Sequence, residues 1–523
     1  MRHVFTAAML SAALLLAASP VQAAESALVR AVQAGDHATV RALVKQPATV
    51  KATEPDGTTA LHWAARGGDA LALDLLIKAG ADVNAKTRYG VTPLTLAVRA
   101  GRDSNVQALL TAGAKVAVAD AGLPEGQTLL MHAARTGNTA SMKALLAAGA
   151  NVNAKETRTE TTAVAWAALA NRGQAVKLLA EARADLNVPS RLTAYPHTQN
   201  GVGLNGLEEG VSYVGQTVLP KGGWTATMMA AREGAVDAIR ALADAGANLN
   251  AQDPEGTTAM IVAIINGQYD VARVLVEKGA DPNIVDVKGM TPLYAAVDMH
   301  TLPTTFGRPD PPPMVIAGAV DAVKMLLAHG AKPDLTLKAP IIKRVYNNGD
   351  GRLSAGATAF MRAARGGDLE LMKVLQQAGA DPTLVQKNGS TALMMAAGAG
   401  SGRGSDNNPD KVTEDQVMTV IKYLVDLGVN INAAGVNGDT AAHVASTTNL
   451  GSPKIIRFMH GLGADFTVKN KAGRTPLQSV LRGREVADDT VAVLREITGD
   501  TTSVVPPDGG KRPQDRDPAD RDN

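Results

Sequence analysis

The sequence contains no cysteine. This absence excludes disulfide bridges, a lipid-modified cysteine and catalysis by a thiolate. Aromatic residues make up only 3% of the chain, so alanine and leucine supply most of the apolar packing surface. The formal net charge is +2, and a charge so close to balance argues against a nucleic-acid-binding surface, which needs a clustered basic stripe.

Familiar catalytic and cofactor motifs are also missing. The sequence has no G-x-S-x-G, no phosphate-binding P-loop and no Rossmann fingerprint, and no two histidines have the H-x-x-x-H spacing of a zinc site. The glycine-containing stretch at 203–210 lacks the preceding strand and following helix of a nucleotide site. We therefore predict no catalytic residue, no cofactor, no metal site and no small-molecule substrate.

Long apolar runs are absent except at the N-terminus. There, an apolar run from Val4 to Ala18 follows Arg2, and small residues surround Ala23. The run is too short to cross a hydrocarbon core of about 30 Å, and the pattern is typical of a cleavable signal peptide over residues 1–24. Export into an oxidising compartment suits a chain without thiols. We expect a periplasmic or secreted protein whose mature chain has no membrane span.

What the sequence does contain is a repeated phrase of two short segments. The first segment reads ALHWAARGG from Ala60 and MRAARGGD from Met361, and the second reads LLIKAGADVNAK from Leu75 and VLVEKGADPN from Val274. The basic step between copies is 33 residues. Self-similarity at this period indicates a stack of one small unit, because a unit this short cannot bury its own apolar face.

Each unit carries the signals of two helices. Threonine begins the first helix, where its hydroxyl can accept a backbone N–H, and proline often follows, where a missing N–H costs nothing. Small residues such as Ala64 and Ala65 allow close packing, and leucine pairs such as Leu75 and Leu76 fill the layer between helices. A glycine after the second helix supplies a left-handed cap. The threonines at helix starts include Thr59, Thr92, Thr258, Thr291 and Thr475.

In this phrase the chain resembles the ankyrin repeat family, whose unit reads hairpin-tip glycine, T-P-L-H-x-A-A-x-x-G and L-L-x-x-G-A-D-x-N. The resemblance implies an all-α solenoid of about 11–12 helix-turn-helix repeats with finger loops, the hairpin loops that precede each first helix. It covers residues 25–498, with an N-terminal cap near 25–51. The segment 499–523 is rich in proline, aspartate and arginine, and we predict that it is a disordered tail.

Four insertions interrupt the period. Two of them, about 188–221 and 338–355, fall in finger loops, and the other two, about 299–317 and 398–416, fall between the two helices of one repeat. In ankyrin-like stacks the fingers and first helices line the concave recognition face. The resemblance therefore implies that the finger insertions border the binding groove and that the other pair projects from the opposite edge.

The finger insertions carry our candidate partner-binding residues. Tyrosine and arginine are enriched at interface hot spots, and the second finger insertion is also basic, which suits an acidic partner surface. The alternative is that both loops only cover the groove or each other. The candidates are Tyr195, Tyr213, Lys343, Arg344, Tyr346 and Arg352.

Histidine and methionine have structural interpretations here. His62 and His443 stand at the family's T-P-L-H position, where the resemblance implies hydrogen bonds to neighbouring backbone. Methionine fills the same position in four other copies, and we interpret it as a core filler rather than a copper ligand. These methionines are Met131, Met228, Met361 and Met394. The polar run from Ser405 is interpreted as the cap of a helix that starts near Thr413, not as a calcium loop.

One repeat lacks two of the expected glycines. Glu160 occupies its hairpin tip, and Arg183 replaces the glycine of the A-G-A-D phrase. A side chain at a left-handed position costs about 1 kcal/mol. We therefore expect a distorted or re-routed repeat there.

These observations predict a non-enzymatic scaffold that binds a partner protein of unknown identity. An alternative is an enzyme or enzyme-accessory protein whose site is built from the insertions, although no spacing orients their acidic and histidine side chains as acid, base and nucleophile. The residues available for it are His197, Glu208, Glu209 and Asp310. A third possibility is a secreted effector that acts in a host cell.

Overall fold

The computed structural model describes residues 20–116, 123–193, 222–301, 313–341, 352–399, 412–447, 451–482 and 487–504. In these ranges the chain forms α-helices joined by turns, with one 3₁₀ turn and three isolated β-bridges. This confirms the predicted all-α class. None of the described helices has both the length and the apolar character needed to cross a bilayer.

The chain divides into two compact units, residues 1–191 and residues 192–523. Neighbouring helices in the first unit pack in the order expected of stacked pairs, with first helix against first helix and second against second. Its helices are α1 Pro20–Ala34, α2 His37–Leu43, α3 Pro47–Val50, α4 Ala60–Gly67, α5 Ala70–Lys78, α6 Pro93–Arg99, α7 Asp103–Thr111, α8 Leu129–Thr136, α9 Thr139–Ala147, α10 Ala163–Leu169 and α11 Gly173–Glu181.

The second unit continues the same alternation of helices. Its helices are α12 Ala226–Glu233, α13 Val236–Asp244, α14 Ala259–Ile265, α15 Tyr269–Glu277, α16 Pro292–His300, α17 Pro313–Ala328, α18 Ala359–Arg365, α19 Leu369–Gln377, α20 Ala392–Ala397, α21 Glu414–Asp426, α22 Ala441–Thr447, α23 Pro453–Gly461, α24 Pro476–Val480 and α25 Asp488–Thr498. Within the described ranges, eleven helix pairs therefore follow the N-terminal helices α1 to α3, in line with the predicted 11–12 repeats.

Threonine begins the first helices, as the sequence predicted. The hydroxyl of Thr59 accepts a hydrogen bond from the backbone N–H of His62, and Thr92 does the same for Thr95. Proline follows the cap at α6, α16 and α24. Thr413 likewise caps α21 by accepting from the backbone of Gln416, which confirms the interpretation of the polar run before it.

Asparagine side chains join successive repeats at the end of the second helices. The amide of Asn283 donates to the carbonyl oxygen of Gly330 at 3.0 Å and accepts from the backbone N–H of Lys332 at 2.8 Å. Asn432 bonds in the same way to Gly463 and Asp465, at 2.9 and 2.8 Å. The asparagine of the G-A-D-x-N phrase is therefore a link between repeats.

The core consists of alanine and leucine layers with methionine as filler. Ala64 and Ala65 are fully buried, and so is Leu76. The four methionines in the T-P-L-H position are buried as well, and the backbone N–H of Thr128 contacts the sulfur of Met131 at 3.4 Å. Their place in the core confirms the packing interpretation.

The repeat without the two glycines is regular, so the prediction that it is distorted is wrong. Glu160 and Arg183 do adopt left-handed backbone, with φ of 58° and 61°. The helices of this repeat, α10 and α11, nevertheless have 7 and 9 residues, the same lengths as α6 and α7. The left-handed backbone at these two residues therefore does not change the helices of the repeat, because the flanking helices already fix the path of the chain.

The insertions are partly helical where they are described. α17 has 16 residues and α21 has 13, whereas second helices such as α15 have 9, so the insertions placed at 299–317 and 398–416 also lengthen the second helix at its start. Lys338 belongs to a regular finger, since its backbone N–H donates to the carbonyl oxygen of Lys288 at 2.8 Å. The central parts of all four insertions lie outside the described residues.

Contacts with the last helix continue past the point where the tail was predicted to begin. The guanidinium of Arg495 donates to the carbonyl oxygen of Ser503 at 2.9 Å, and the Ser503 hydroxyl bonds to Asp500 at 2.6 Å. The predicted tail beyond residue 504 and most of the predicted signal peptide lie outside the described residues.

Candidate partner-binding surface

Backbone hydrogen bonds join many of the described finger loops to the next one along the chain. In the first unit, the N–H of Arg88 donates to the carbonyl oxygen of Asp56 at 2.7 Å. The second unit repeats this link at Val287 and Glu255, at 2.9 Å, and again farther along the chain. A row of fingers bonded in this way has a fixed spacing before any partner arrives, which lowers the entropy lost on binding. The other links of this kind join Thr157 to Glu125, Arg191 to Thr159, Lys338 to Lys288, Lys387 to Ala355, Val436 to Asn388 and Lys471 to Asn437.

Histidine in the T-P-L-H position ties a first helix to the following finger. Nδ1 of His62 accepts from the backbone N–H of Thr59 at 3.1 Å, so Nε2 carries the proton and donates to the carbonyl oxygen of Val91 at 3.0 Å. Burial lowers the pKa of His62, because it disfavours the charged imidazolium. His443 makes the same pair of contacts, to Thr440 and to the carbonyl oxygen of Arg474. This confirms the structural role predicted for both histidines.

Three arginines share one position on consecutive first helices of the first unit. Arg66, Arg99 and Arg135 each follow the cap threonine by seven residues, lie in the last turn of α4, α6 and α8, and are exposed. We call them the arginine row. α4 packs against α6 and α6 against α8, so the three side chains emerge from neighbouring helices.

Aromatic rings lie under both ends of the arginine row. The guanidinium of Arg66 sits 5.7 Å from the ring centre of Trp63, and that of Arg135 sits 5.2 Å from the ring centre of Trp166. Cation–π contacts of this kind are worth about 0.5–1 kcal/mol at exposed sites. The two indoles are themselves held in place, since Nε1 of Trp63 donates to Glu54 at 2.9 Å and Nε1 of Trp166 donates to a threonine hydroxyl at 3.1 Å.

A tyrosine is exposed on a finger of the same unit. Tyr89 is 64% exposed, and the guanidinium of Arg88 lies 4.9 Å from its ring centre and donates to its hydroxyl at 2.6 Å. Exposed tyrosine, tryptophan and arginine are the residue types enriched at protein interface hot spots. The fingers and first helices of this unit thus present such residues on a pre-organised backbone.

Of the six residues predicted to bind a partner, only Arg352 belongs to the described part of the chain. A Cβ added at Gly398 would lie 3.2 Å from Nη1 of Arg352 and 3.4 Å from Nη1 of Arg365, so both guanidiniums lie beside that glycine. Arg352 is half-buried. The other five fall outside the described residues, and they are Tyr195, Tyr213, Lys343, Arg344 and Tyr346.

A cleft of about 490 Å³ lies in the second unit, at the starts of its second helices. Residues far apart in the sequence form it, because it joins the end of α16, the turn before α19 and the start of α21. Its acids already have partners. Asp368 caps α19 by accepting from Leu371 and bonds to Nδ1 of His300 at 2.5 Å, and Asp415 pairs with Lys454 at 2.7 Å. Asp368 is thus bonded both to the N-terminus of α19 and to His300, and Asp415 belongs to a surface ion pair.

No group of three histidine, aspartate or glutamate side chains in the described residues could hold a metal ion. The acids and histidine proposed for an enzyme site, His197, Glu208, Glu209 and Asp310, lie outside those residues. So does the glycine-containing stretch at 203–210.

The sequence predicted binding residues in the insertions and missed the arginine row. The signal was present, since an arginine occurs seven residues after the cap threonine in three consecutive repeats, at Arg66, Arg99 and Arg135. Aligning the repeats by their cap threonine would have found it. No sequence pattern indicated the cleft, because its residues are far apart in the sequence and come together only when the repeats stack.

A comparison with protein-family models agrees with this repeat architecture. A family model described as ankyrin repeats (3 copies) matches residues 28–120, 117–190, 207–286, 228–304 and 360–470. An ankyrin repeat protein of Acanthamoeba polyphaga mimivirus is 28% identical over 112 residues, which is 20% of this chain and 15% of that protein. The crystal structure of the human ASB11 ankyrin repeat domain matches at 21% identity with a TM-score of 0.37, over 53% of this chain and 99% of that domain. Because the family model matches more than half of the sequence, the chain belongs to the ankyrin repeat family.

Proposed function

We propose that this protein is a non-enzymatic scaffold that binds a partner protein through its fingers and first helices. Ankyrin repeats typically mediate protein–protein interaction, and stacked repeats provide an extended surface for it. The observation that carries the proposal is the set of bonded fingers with an exposed tyrosine, Tyr89, in the same unit as two tryptophan–arginine stacks. Rigid aromatic and arginine side chains give contact area at low entropic cost.

The absence of an enzymatic role is part of the proposal. The cleft in the second unit supports this part, because Asp368 serves there as a helix cap and Asp415 serves as an ion-pair partner. One fold can host many functions, so the function of this chain depends on the residues that its surface presents.

Export is the second part of the proposal. It rests on the N-terminal pattern of a charged residue, an apolar run and small residues near Ala23. Fractionation of the producing cell tests it, with N-terminal sequencing of the purified protein. The expected mature chain begins at Ala24 or Glu25 and is periplasmic or secreted, while a variant lacking residues 2–23 remains in the cytoplasm. An uncleaved wild-type chain in the cytoplasm contradicts this part.

The finger insertions are proposed to extend the binding surface. Their candidates, which include Tyr195, Tyr213 and Tyr346, belong by sequence to finger loops, the same part of the repeat as Tyr89. A variant lacking residues 342–350 removes the centre of the second finger insertion and leaves Lys338 and its finger link in place. Reduced retention of a captured partner is expected, and identical partner profiles would remove this insertion from the surface.

The binding surface as a whole is tested by partner capture from a periplasmic extract. The wild-type chain is compared with R88A/Y89A, which alters the exposed finger, and with K422A/D426A. The latter pair is an exposed (i, i+4) ion pair of α21 and serves as a control on a second helix. Proteins retained by the wild type and the control, but lost with the finger variant, are the expected partners. Equal retention by all three chains contradicts binding through the fingers.

A further inference from the structure

The arginine row forms a regular positive array. Arg66, Arg99 and Arg135 occupy equivalent positions on three packed first helices, and neighbouring helices are about 8–10 Å apart. The row therefore spans about 20 Å with one guanidinium at each step. The C-terminal end of each helix accommodates the positive charge, because the helix dipole is negative there.

Two further arginines reinforce this array. Arg102 and Arg172 are exposed, and their Nε atoms donate to the carbonyl oxygens of Arg66, at 3.4 Å, and Arg135, at 3.2 Å. Each therefore lies at the end of the helix that carries an arginine of the row. Five arginines therefore lie at or beside the C-terminal ends of three first helices of this unit.

Two acids at the starts of the following second helices bond to groups other than the arginine row. Asp69 accepts from the backbone of Ala72 and bonds to His37 at 2.8 Å, and Asp103 bonds to the hydroxyl of Ser141. The arginine row itself forms no ion pair with any described residue of this unit. The guanidiniums are thus exposed cations that can pair with carboxylates of another molecule.

Aromatic stacking favours an acidic protein over a nucleic acid as the occupant. Nucleic-acid platforms need open ring faces on which bases stack. Here Arg66 lies over Trp63, and both Arg135 and His132 lie against Trp166, His132 with its ring centre 5.4 Å away. The covered indoles instead hold the guanidiniums in place, so less side-chain entropy is lost when an arginine pairs with a carboxylate.

We infer that the arginine row binds an extended acidic segment of the partner protein. This rests on the proposed scaffold function and names the chemistry of the partner. An extended chain in the polyproline II conformation has three residues per turn and rises about 3.1 Å per residue, so carboxylates at every third residue lie on one side of the chain and match the spacing of the helices. Each carboxylate can accept two parallel N–H donors from one guanidinium, which adds direction to the charge attraction.

Binding of designed peptides to the full chain tests the inference. The probes are a fluorescein-labelled peptide with glutamate at every third residue, a peptide of the same composition with adjacent glutamates, a lysine-containing analogue, and oligothymidylate. Fluorescence anisotropy gives the affinity, and indole fluorescence in a W224F background, where Trp63 and Trp166 are the remaining tryptophans, reports contact at the row. The wild type is expected to prefer the spaced glutamate peptide, with binding that weakens as salt rises.

The variant R66Q/R99Q/R135Q is expected to bind the spaced peptide about tenfold more weakly or worse. K115Q/K143Q/K177Q is the matched control, because it removes the same charge from exposed lysines at or near the second helices of the same unit. It should change the affinity less than about twofold. Because all six side chains are exposed, both variants should fold, and thermal unfolding followed by circular dichroism checks this.

Three results would overturn the inference: no binding of the spaced peptide by the wild type, equal weakening by both triple variants, or tighter binding of oligothymidylate. These results differ from failure of the scaffold function. A partner that depends on Tyr89 but is retained by R66Q/R99Q/R135Q contradicts the acidic-segment inference alone.

Discussion

Nε2 of His62 donates a hydrogen bond to the carbonyl oxygen of Val91 across 3.0 Å, and this contact joins one repeat to the finger of the next. The bond requires the neutral ring, because Nδ1 accepts from the backbone N–H of Thr59. A buried side chain that must stay uncharged links the stability of the stack to pH.

Stability should fall as the pH is lowered from 7.5 to 5.5. Burial lowers the pKa of His62 below its ordinary value of 6.5, so in this window the unfolded chain binds more protons than the folded chain. The free energy of unfolding therefore rises with pH across this window. The contribution of neutral His62 is fully present above pH 6.5, and it is lost as the pH falls from 6.5 through the lowered pKa of the folded chain.

His62→Met is the matched variant, since methionine fills this position in four other repeats. It should be less stable at pH 7.5 by about 1 kcal/mol and show a weaker dependence on pH. Thermal unfolding at both pH values gives the comparison, and identical slopes would contradict the role of His62.

Arg183→Gly should raise the free energy of unfolding by about 0.5–1 kcal/mol, because Arg183 has φ of 61° and glycine adopts this backbone without a Cβ penalty. Arg183→Ala keeps the Cβ and is the control, so it should show no such gain. The melting temperatures of the two variants decide between them. A gain of equal size with alanine would assign the effect to the charge or bulk of arginine.

Gly289→Ala should destabilise the second unit more than Gly279→Ala. Both glycines have positive φ, 83° and 90°. A Cβ at Gly289 would lie 2.6 Å from the backbone nitrogen of Lys338, in the finger link, whereas a Cβ at Gly279 meets nothing within 4 Å. The variant at 279 should cost about 1–2 kcal/mol, and the one at 289 should cost more because backbone atoms must move. Hydrogen exchange at the Lys338 amide measures the local effect, and equal exchange in both variants would show that the finger link tolerates the added carbon.

The fold could be predicted from the sequence because each unit repeats its own signals. Cap threonines such as Thr59, glycines after the second helices and buried alanines recur with one period, and each repeat supports the assignment of the others. The left-handed backbone at Arg183 followed from the same alignment, although its consequence was overestimated, since the packed helices on either side hold the repeat in shape.

The binding surface was harder to predict because it depends on how the repeats stack. The insertions have no repeat period, so residues such as Tyr195 have no register relative to the helices. The arginine row is formed by equivalent positions, and it becomes a surface only when α4, α6 and α8 pack side by side. The contact between Asp298 and Arg362 could not be predicted for the same reason, because the two residues lie 64 positions apart in the sequence and meet only when the repeats stack.

A buried ion pair joins Asp298 of α16 to Arg362 of α18. Oδ1 of Asp298 lies 2.5 Å from Nε of Arg362, and the two side chains are only 13% and 5% exposed. The guanidinium also donates to the carbonyl oxygen of Thr301 at 2.9 Å. Removing one partner takes a directly bonded counter-ion from the other buried charge, so Arg362→Met and Asp298→Leu should each cost about 3 kcal/mol. The double variant replaces both charges with apolar side chains and should cost less than either single change. Urea unfolding of the four chains, with hydrogen exchange at α16 and α18 to locate the loss, completes the double-mutant cycle. Additive losses would mean that the two side chains act independently, in which case the buried pair does not couple α16 to α18.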